Sequence, residues 1–432
     1  MILKNIKLTN FRCFNELFIE LHPRLNVFVG KNGQGKTAIL DGIARGLGRI
    51  ITELGVSGIG FKDTDLRKKS TEETAEFVQV QLETTENIVW SISKKRKYPK
   101  PATIPKGTGL KQLSTFLKSL IEDFEKDKST TLPIFAYYGT NRAVLDATIE
   151  RRRHQSKNFS PFEAYSHSLD AVSRFKSALA WFDAMETDEL KLKQSHQDFN
   201  YRLPILQTVR NAITSMMPEF FNPRISTHPL HFIVSWDRGN GVIEELRLEQ
   251  LSDGYRTMLA LVIDLARRMA QTNPHIEDPL QSEAIVLIDE IDLHLHPEWQ
   301  QKVLPDLLKT FPKTQFIVTT HSHQVLTTIK KENLHILEWN SENDVNVYKP
   351  LTNCYGAESS RILEEIMNVP SRPESRIEEV HKLYEYLDLV NQGYFDSKRA
   401  QELRQEIEPI FADDSALDIA DRVIRRHKIL GK

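Results

Sequence analysis

Cysteine is nearly absent from this 432-residue chain, which carries only Cys13 and Cys354. The two lie far apart without paired metal-ligand spacing, so neither a disulfide framework nor a zinc hook can be built from them. No apolar run reaches the ~20 residues that cross a bilayer. The opening "MILKNIKLTNFRCF" alternates as a strand does and lacks the basic, apolar pattern of a signal peptide. A reducing compartment fits this cysteine usage, and the cytoplasm is the expected location. One-signed charge is missing as well: the formal net charge of -2 leaves any nucleic-acid affinity to local patches. There is no internal repeat and no long uninterrupted heptad series, which argues against long coiled-coil arms. Beyond residue 321 there is no obvious acidic cluster of the kind a self-contained metal nuclease needs. What remains is a globular composition, 40% hydrophobic and 27% charged, long enough for two or three domain-sized units.

Periodicity orders the chain. Residues 2–8 and 17–29 read as strands, the second running into "NVFVGKNGQGKTAILDGIARGL". Residues 75–92 read as a hairpin turning near Thr85–Asn87, and 93–109 as an exposed loop rich in Lys, Pro and Gly. Helical spacing covers 110–127 and most of 163–217, with a short buried strand at 132–140 between them. Strands follow at 230–249, 284–289 and 314–320, with a helix at 298–309, and the chain beyond 357 is almost wholly helical.

"GKNGQGKT" (30–37) fits G-x-x-x-x-G-K-[ST] with a strand before it and a helix after it. Gly30, Gly33 and Gly35 let the backbone wrap phosphates, whose charge suits the N–H groups at the helix start, and Asn32 on the same loop is a further candidate for ATP binding. Lys36 is then the partner of the β- and γ-phosphates of ATP, and Thr37 a ligand of Mg²⁺. "AIVLIDE" ends a run of apolar residues on Asp289 and Glu290. A buried strand with two acids at its end demands a cation, which makes Asp289 the second Mg²⁺ ligand and Glu290 the residue that orients or deprotonates water. In "TTHSHQ", His321 follows the next apolar strand and is the candidate γ-phosphate sensor, with His323 the nearby alternative.

A second phosphate surface is present in "LSDGYRTM", where Ser252 and Gly254 flank Asp253 at the mouth of a helix. Lys36 and its loop already surround one ATP. The second surface therefore suits the ATP held by another copy of the chain.

Taken in order, these motifs resemble those of the ABC-type ATPase heads of the SMC and RecF superfamily. "GKNGQGKT" is similar to their Walker A, "LSDGYR" to their signature, "IVLIDE" to their Walker B, "IDLHLHP" to their D-loop, and His321 to their switch histidine. The resemblance implies an α/β P-loop NTPase fold: an ABC-ATPase head in two parts, 1–150 and 229–350, with a helical insertion at 151–228 and a helical C-terminal region at 351–432. It implies head dimers sandwiching two ATPs, with Ser252, Asp253 and Gly254 completing the opposite site and Asp292 and His294 at the same interface. "LTNFRCF" (8–14) resembles the start of such heads and suggests that Arg12 reaches the nucleotide. Arg142, in "YYGTNRAVLD", occupies the Q-loop's place in order.

The tail from "YGAESSRILEEIMNVP" resembles the C-terminal part of the PtuA family, the ATPase subunits of Septu antiphage systems, also found beside some retrons. In that family the ATPase assembles with an HNH endonuclease, PtuB. The implied function is an ATP-dependent regulatory subunit; the alternatives are a RecF-like repair ATPase binding duplex DNA directly and a self-contained nuclease. The clusters at 67–69, 94–97, 151–154 and 425–428 are candidate DNA or RNA phosphate contacts, although exposed basic runs are more often solvated faces.

Overall fold

The computed structural model describes residues 1–68, 73–98, 103–127, 130–140, 159–171, 175–227, 230–239, 241–341, 344–373 and 375–430. It divides into two compact units, Met1–Glu358 and Ser359–Lys432. In chain order the first contains β1 (Leu3–Phe11), β2 (Phe14–Glu20), β3 (Leu25–Val29), α1 (Lys36–Glu53), β4 (Phe77–Thr84), β5 (Val89–Lys95), α2 (Leu110–Lys126) and β6 (Ile134–Tyr138). There follow α3 (Phe175–His196), α4 (Pro204–Met216), β7 (Phe220–Thr227), β8 (Leu230–Asp237), β9 (Ile243–Arg247), α5 (Asp253–Thr272) and β10 (Ala284–Ile288). The unit closes with α6 (Pro297–Thr310), β11 (Thr314–Thr319), the single turn α7 (His323–Leu326), β12 (Leu334–Trp339) and β13 (Val345–Tyr348).

The central sheet has the order β13-β12-β3-β11-β10-β6. All its pairings are parallel except β12 with β13. Every residue of β3, β6, β10 and β11 is buried, as a parallel sheet covered on both faces requires. A second sheet, β2-β1-β4-β5, is antiparallel. Its inward-facing Leu3, Ile6, Leu8, Val80, Leu82 and Trp90 share one core with Ile39, Ile43, Leu47 and Ile50 of α1. A third sheet, β7-β8-β9, lies between the α3–α4 hairpin and α5 in sequence.

The single strand expected over 17–29 is two strands in different sheets. Pro23 breaks the run, and Asn26 Oδ1 takes the His22 N–H at 2.8 Å to close the turn. β7 lies inside the region expected to be a helical insertion. Its "FFNPRIST" hides a strand because Pro223 lies at the register shift between Phe221 and Arg224, where a bulge accommodates it. The loop expected from residue 93 starts later, since β5 continues to Lys95 and Thr108 returns to pair its carbonyl with the Ser91 N–H at 2.9 Å.

The second unit contains α8 (Ser359–Glu365), α9 (Glu378–Asn391), α10 (Lys398–Phe411) and α11 (Ser415–Leu430). Leu383, Tyr386 and Val390 pack with Ala400, Leu403, Ile407, Leu417 and Ala420 as its own small core.

Candidate functional site

The C-terminal ends of β3, β11 and β10 lie side by side, the place where open α/β sheets receive ligands. From β3 the chain enters the 30–35 loop. Gly33 and Gly35 have φ of 83° and 87°, and a Cβ on Gly35 would stand 2.5 Å from Cys13 Sγ and 2.6 Å from Phe14 Cζ. Only glycine fits there. Lys36, the first residue of α1, donates to the carbonyls of Gly30 at 2.7 Å and Lys31 at 3.0 Å, so its ammonium curls into the loop. Burial pulls its pKa below the usual lysine value, against the opposing pull of Asp289, Glu290 and Asp292.

Thr37 lies next to Asp289: its hydroxyl donates to Oδ2 at 2.9 Å and Oδ1 at 3.2 Å. A hydroxyl and a carboxylate in contact at the mouth of a phosphate loop are the hard oxygen donors that suit Mg²⁺ together with phosphate and water. Thr37 and Asp289 are the residues that would hold it, and the ion would neutralise phosphate charge. The loop's glycines and inward-turned lysine fit a nucleotide triphosphate equally well.

Two threonines at the end of β11, both fully buried, organise the acids. Thr319 Oγ1 donates to Asp289 Oδ1 at 2.6 Å and accepts the Glu290 N–H at 2.7 Å. Thr320 Oγ1 donates to Asp292 Oδ1 at 2.6 Å, and the His321 N–H reaches the same oxygen at 3.3 Å. Glu290 has φ 46°, a left-handed conformation costing roughly 1–2 kcal/mol for a residue with a Cβ. The Thr319 bond helps to hold it there. Burial, then Lys36, lowers the His321 pKa below 6.5, so its ring stays neutral at neutral pH despite the opposing acids.

Ser252 is the N-cap of α5, exposed, and makes no side-chain bond to its own helix. Asp253, also exposed, pairs with Arg256. Gly254 is buried against the other turn: a Cβ there would lie 2.6 Å from His294 O. His294 itself is exposed with φ 63°. The structure thus brings Gly30, Lys36, Thr37, Asp289, Glu290, Asp292 and His321 to one sheet edge and packs the signature turn on the D-loop turn.

Other candidates fall elsewhere. Asn32 is exposed on the loop. Arg12 spends its guanidinium on Asp41 at 2.6 Å and on buried Asp65 at 2.9 Å, where Arg45 also bonds at 3.1 Å. Any contact of Arg12 with nucleotide competes with those two acids. Arg142, Lys69 and the 151–154 cluster lie outside the described residues. Within 94–97, Lys94 and Lys97 pair with Asp63 at 2.7 and 3.1 Å, and Arg96 lies 3.8 Å from Glu76. Asp63 and Glu76 thus offset two of the run's four positive charges. In the second unit, Arg425 and Arg426 are exposed on α11. Sequence reasoning missed Thr319 and Thr320; their signal was a pair of hydroxyls directly before the histidine, at the end of a buried strand.

Comparison with known proteins agrees with this architecture. Residues 5–219 match the family model described as an AAA domain, and residues 163–326 match an AAA ATPase domain. The retron Ec83 probable ATPase of Escherichia coli is 30% identical, the alignment covering 95% of this chain and 84% of that protein. The chain belongs to the SMC- and RecF-like ABC-type ATPases and is related to PtuA. Within this family the retron Vc95 probable ATPase of Vibrio cholerae is 26% identical over 93% of this chain and 86% of its own. The Septu protein PtuA of Bacillus thuringiensis is 20% identical over 91% of each chain.

Proposed function

We propose that this ATPase is the nucleotide-driven regulatory subunit of a bacterial antiphage-defence complex, in which two copies sandwich two ATPs and nucleotide state governs a partner nuclease of the HNH, PtuB type. The observation that carries the reading is Ser252: an exposed helix N-cap whose hydroxyl is not spent on its own helix. Its neighbour Gly254 packs on the turn after β10, and α5 packs on β6. Those strands stand two and three positions from β3 in the sheet, roughly 10–14 Å at the usual strand spacing. That separation suits a clamp for the other copy's ATP. The Septu and retron relatives support the defence setting.

In this reading Lys36 and the N–H groups of the 30–35 loop bind the phosphates, with Arg12 near the nucleotide. Thr37 and Asp289 hold Mg²⁺, Glu290 orients and deprotonates water, and neutral His321 contacts the γ-phosphate. Asp292 and His294 lie at the seam between copies. Glu290→Gln should keep ATP bound and stabilise the engaged dimer; unchanged hydrolysis would remove Glu290 from the base role. Ser252→Arg should abolish ATP-driven self-association, and a variant that still associates refutes the trans clamp. Co-purification with the products of neighbouring genes tests the partner: a complex with a small HNH protein supports the assignment. Recovery of this chain alone, dimerising with ATP and retaining duplex DNA, would favour a repair-type ATPase.

A further inference from the structure

Behind the signature turn lies an aromatic cluster that the ATP chemistry leaves unused. Tyr255, the residue after Gly254, sits edge-on to Trp299 with ring centroids 5.0 Å apart and planes at 86°. It meets Phe220 at 5.1 Å and 74°, and Trp236 at 6.1 Å and 57°. Phe220 and Trp236 stack at 5.8 Å, and the Arg238 guanidinium covers Trp236 at 4.7 Å. Edge-to-face and offset pairs of this kind add directional attraction to burial.

The placement of each ring in the chain matters. Trp299 lies in the first turn of α6, directly after the turn that holds Asp292 and His294. Phe220 is fully buried at the start of β7, its N–H on the Met217 carbonyl at 3.0 Å just past α4. Trp236 is on β8. One side chain, Tyr255, therefore touches the helix after the D-loop and the two strands that follow the α3–α4 hairpin. Next to it, Gly254 closes on His294 O with no room for a Cβ. The signature turn is thus joined to the D-loop turn through backbone at Gly254 and, one residue on, to the helix that follows that turn through rings.

We propose that Tyr255 is a positioning residue that fastens the signature turn and the D-loop into one body, so that both reach an opposing copy in fixed relation, and that it ties this body to the β7–β8 sheet. The proposal rests on the trans-clamp reading of Ser252.

The test uses the full chain in a Glu290→Gln background, with self-association measured by sedimentation with and without ATP, and nucleotide binding and melting measured on the same samples. Tyr255→Ala should weaken ATP-driven association about tenfold or more, the scale of the three aromatic pairs it removes, while ATP still binds the 30–37 loop and melting stays cooperative. Tyr255→Phe, which keeps the ring, should restore association to within about threefold. With Glu290 intact, Tyr255→Ala should lower kcat and leave KM nearly unchanged. Should the alanine variant not fold, Tyr255→Leu puts the same question with volume retained and the ring removed. Wild-type association by the ringless variant overturns the proposal, and failure of the phenylalanine variant to restore it overturns its ring-based form in favour of the Tyr255 hydroxyl, which bonds the Trp299 side chain. Ser252→Arg separates the two ideas: if it too associates normally, the trans clamp falls; if it does not while Tyr255→Ala does, only the positioning role falls.

Discussion

Thr319→Val puts the proposed catalytic geometry around Asp289 and Glu290 to a quantitative test, because the substitution keeps shape and β-branching and removes one oxygen. In the native protein that oxygen gives its proton to Asp289 Oδ1 at 2.6 Å and takes the Glu290 N–H at 2.7 Å. The first is a bond to a carboxylate, worth about 1.5–3 kcal/mol; losing the second leaves a half-buried N–H without that acceptor, about 1–3 kcal/mol. The two are coupled and water can recover part of the loss, so about 2–4 kcal/mol is the expected cost. At roughly 2–4 °C per kcal/mol for a large domain, the melting temperature should fall by several degrees. Catalysis should suffer separately. Glu290 sits at φ 46°, and without the Thr319 acceptor its backbone can relax; each 1.4 kcal/mol of misplacement slows kcat about tenfold. Differential scanning fluorimetry and a steady-state phosphate-release assay read the two effects, with Thr319→Ser as the control that keeps the hydroxyl. If the valine variant melts within about one degree of wild type and turns over within about twofold of it, against the several degrees and tenfold set by the lost bonds, Thr319 does not organise these acids.

His335 gives a pH prediction. It is 2% exposed, stacked on Phe28 at 4.6 Å, with Nε2 3.1 Å from both Asn26 Oδ1 and Lys349 Nζ. Burial, then Lys349 and His22, push its pKa from 6.5 to about 3. Between those values the unfolded chain binds the extra proton. Stability is thus full above 6.5 and falls as pH drops through the window, about 1.4 kcal/mol per unit. Thermal scans from pH 7 to 5 should show a shallower slope for His335→Gln, and equal slopes would remove His335 as the cause. Gly35→Ala should weaken ATP binding and lower the melting temperature together. It combines φ 87° with a methyl 2.5 Å from Cys13 Sγ, about 1–2 kcal/mol for the backbone and 1–3 for the overlap. Wild-type affinity by calorimetry would show that the loop tolerates a side chain there.

Motifs whose spacing is dictated by phosphate geometry were legible because a short local pattern specifies them. Thr37 and Asp289 stand 252 positions apart yet meet at 2.9 Å, and both were readable since each sits where a buried strand or its loop ends. The double-buried strands β10 and β11 were equally plain as continuous apolar runs. Features that depend on long-range packing were not. Asp41 and Asp65 claim Arg12 only once α1 and the following turn fold over it. β7 was obscured by Pro223, which a bulge absorbs without destroying the strand. The rings around Tyr255 come from three elements with no shared periodicity.

The adjacent threonines point to a last test. Neighbouring side chains along extended backbone face opposite ways, and here Thr319 turns to Asp289 and the Glu290 N–H while Thr320 turns to Asp292. A single strand end thus holds Asp289 and the Glu290 backbone with one hydroxyl and Asp292 with the next. Thr320 Oγ1 also accepts the Ser322 N–H at 3.0 Å, so it braces the chain on the far side of His321. Thr320→Val should release Asp292 from one of its two bonds and loosen the D-loop turn, leaving Thr319 and both acids in place. If Asp292 acts at the seam between copies, association should weaken by roughly the 1.5–3 kcal/mol of a bond to a charged group, about tenfold to a hundredfold. Turnover measured at protein concentrations high enough to saturate association should recover most of the wild-type rate. The Thr319→Val variant should behave in the opposite way, associating with ATP but turning over slowly at any concentration. Identical defects in the two variants would mean that the strand end acts as one undivided support, and the separation of chemistry from association along it would be wrong.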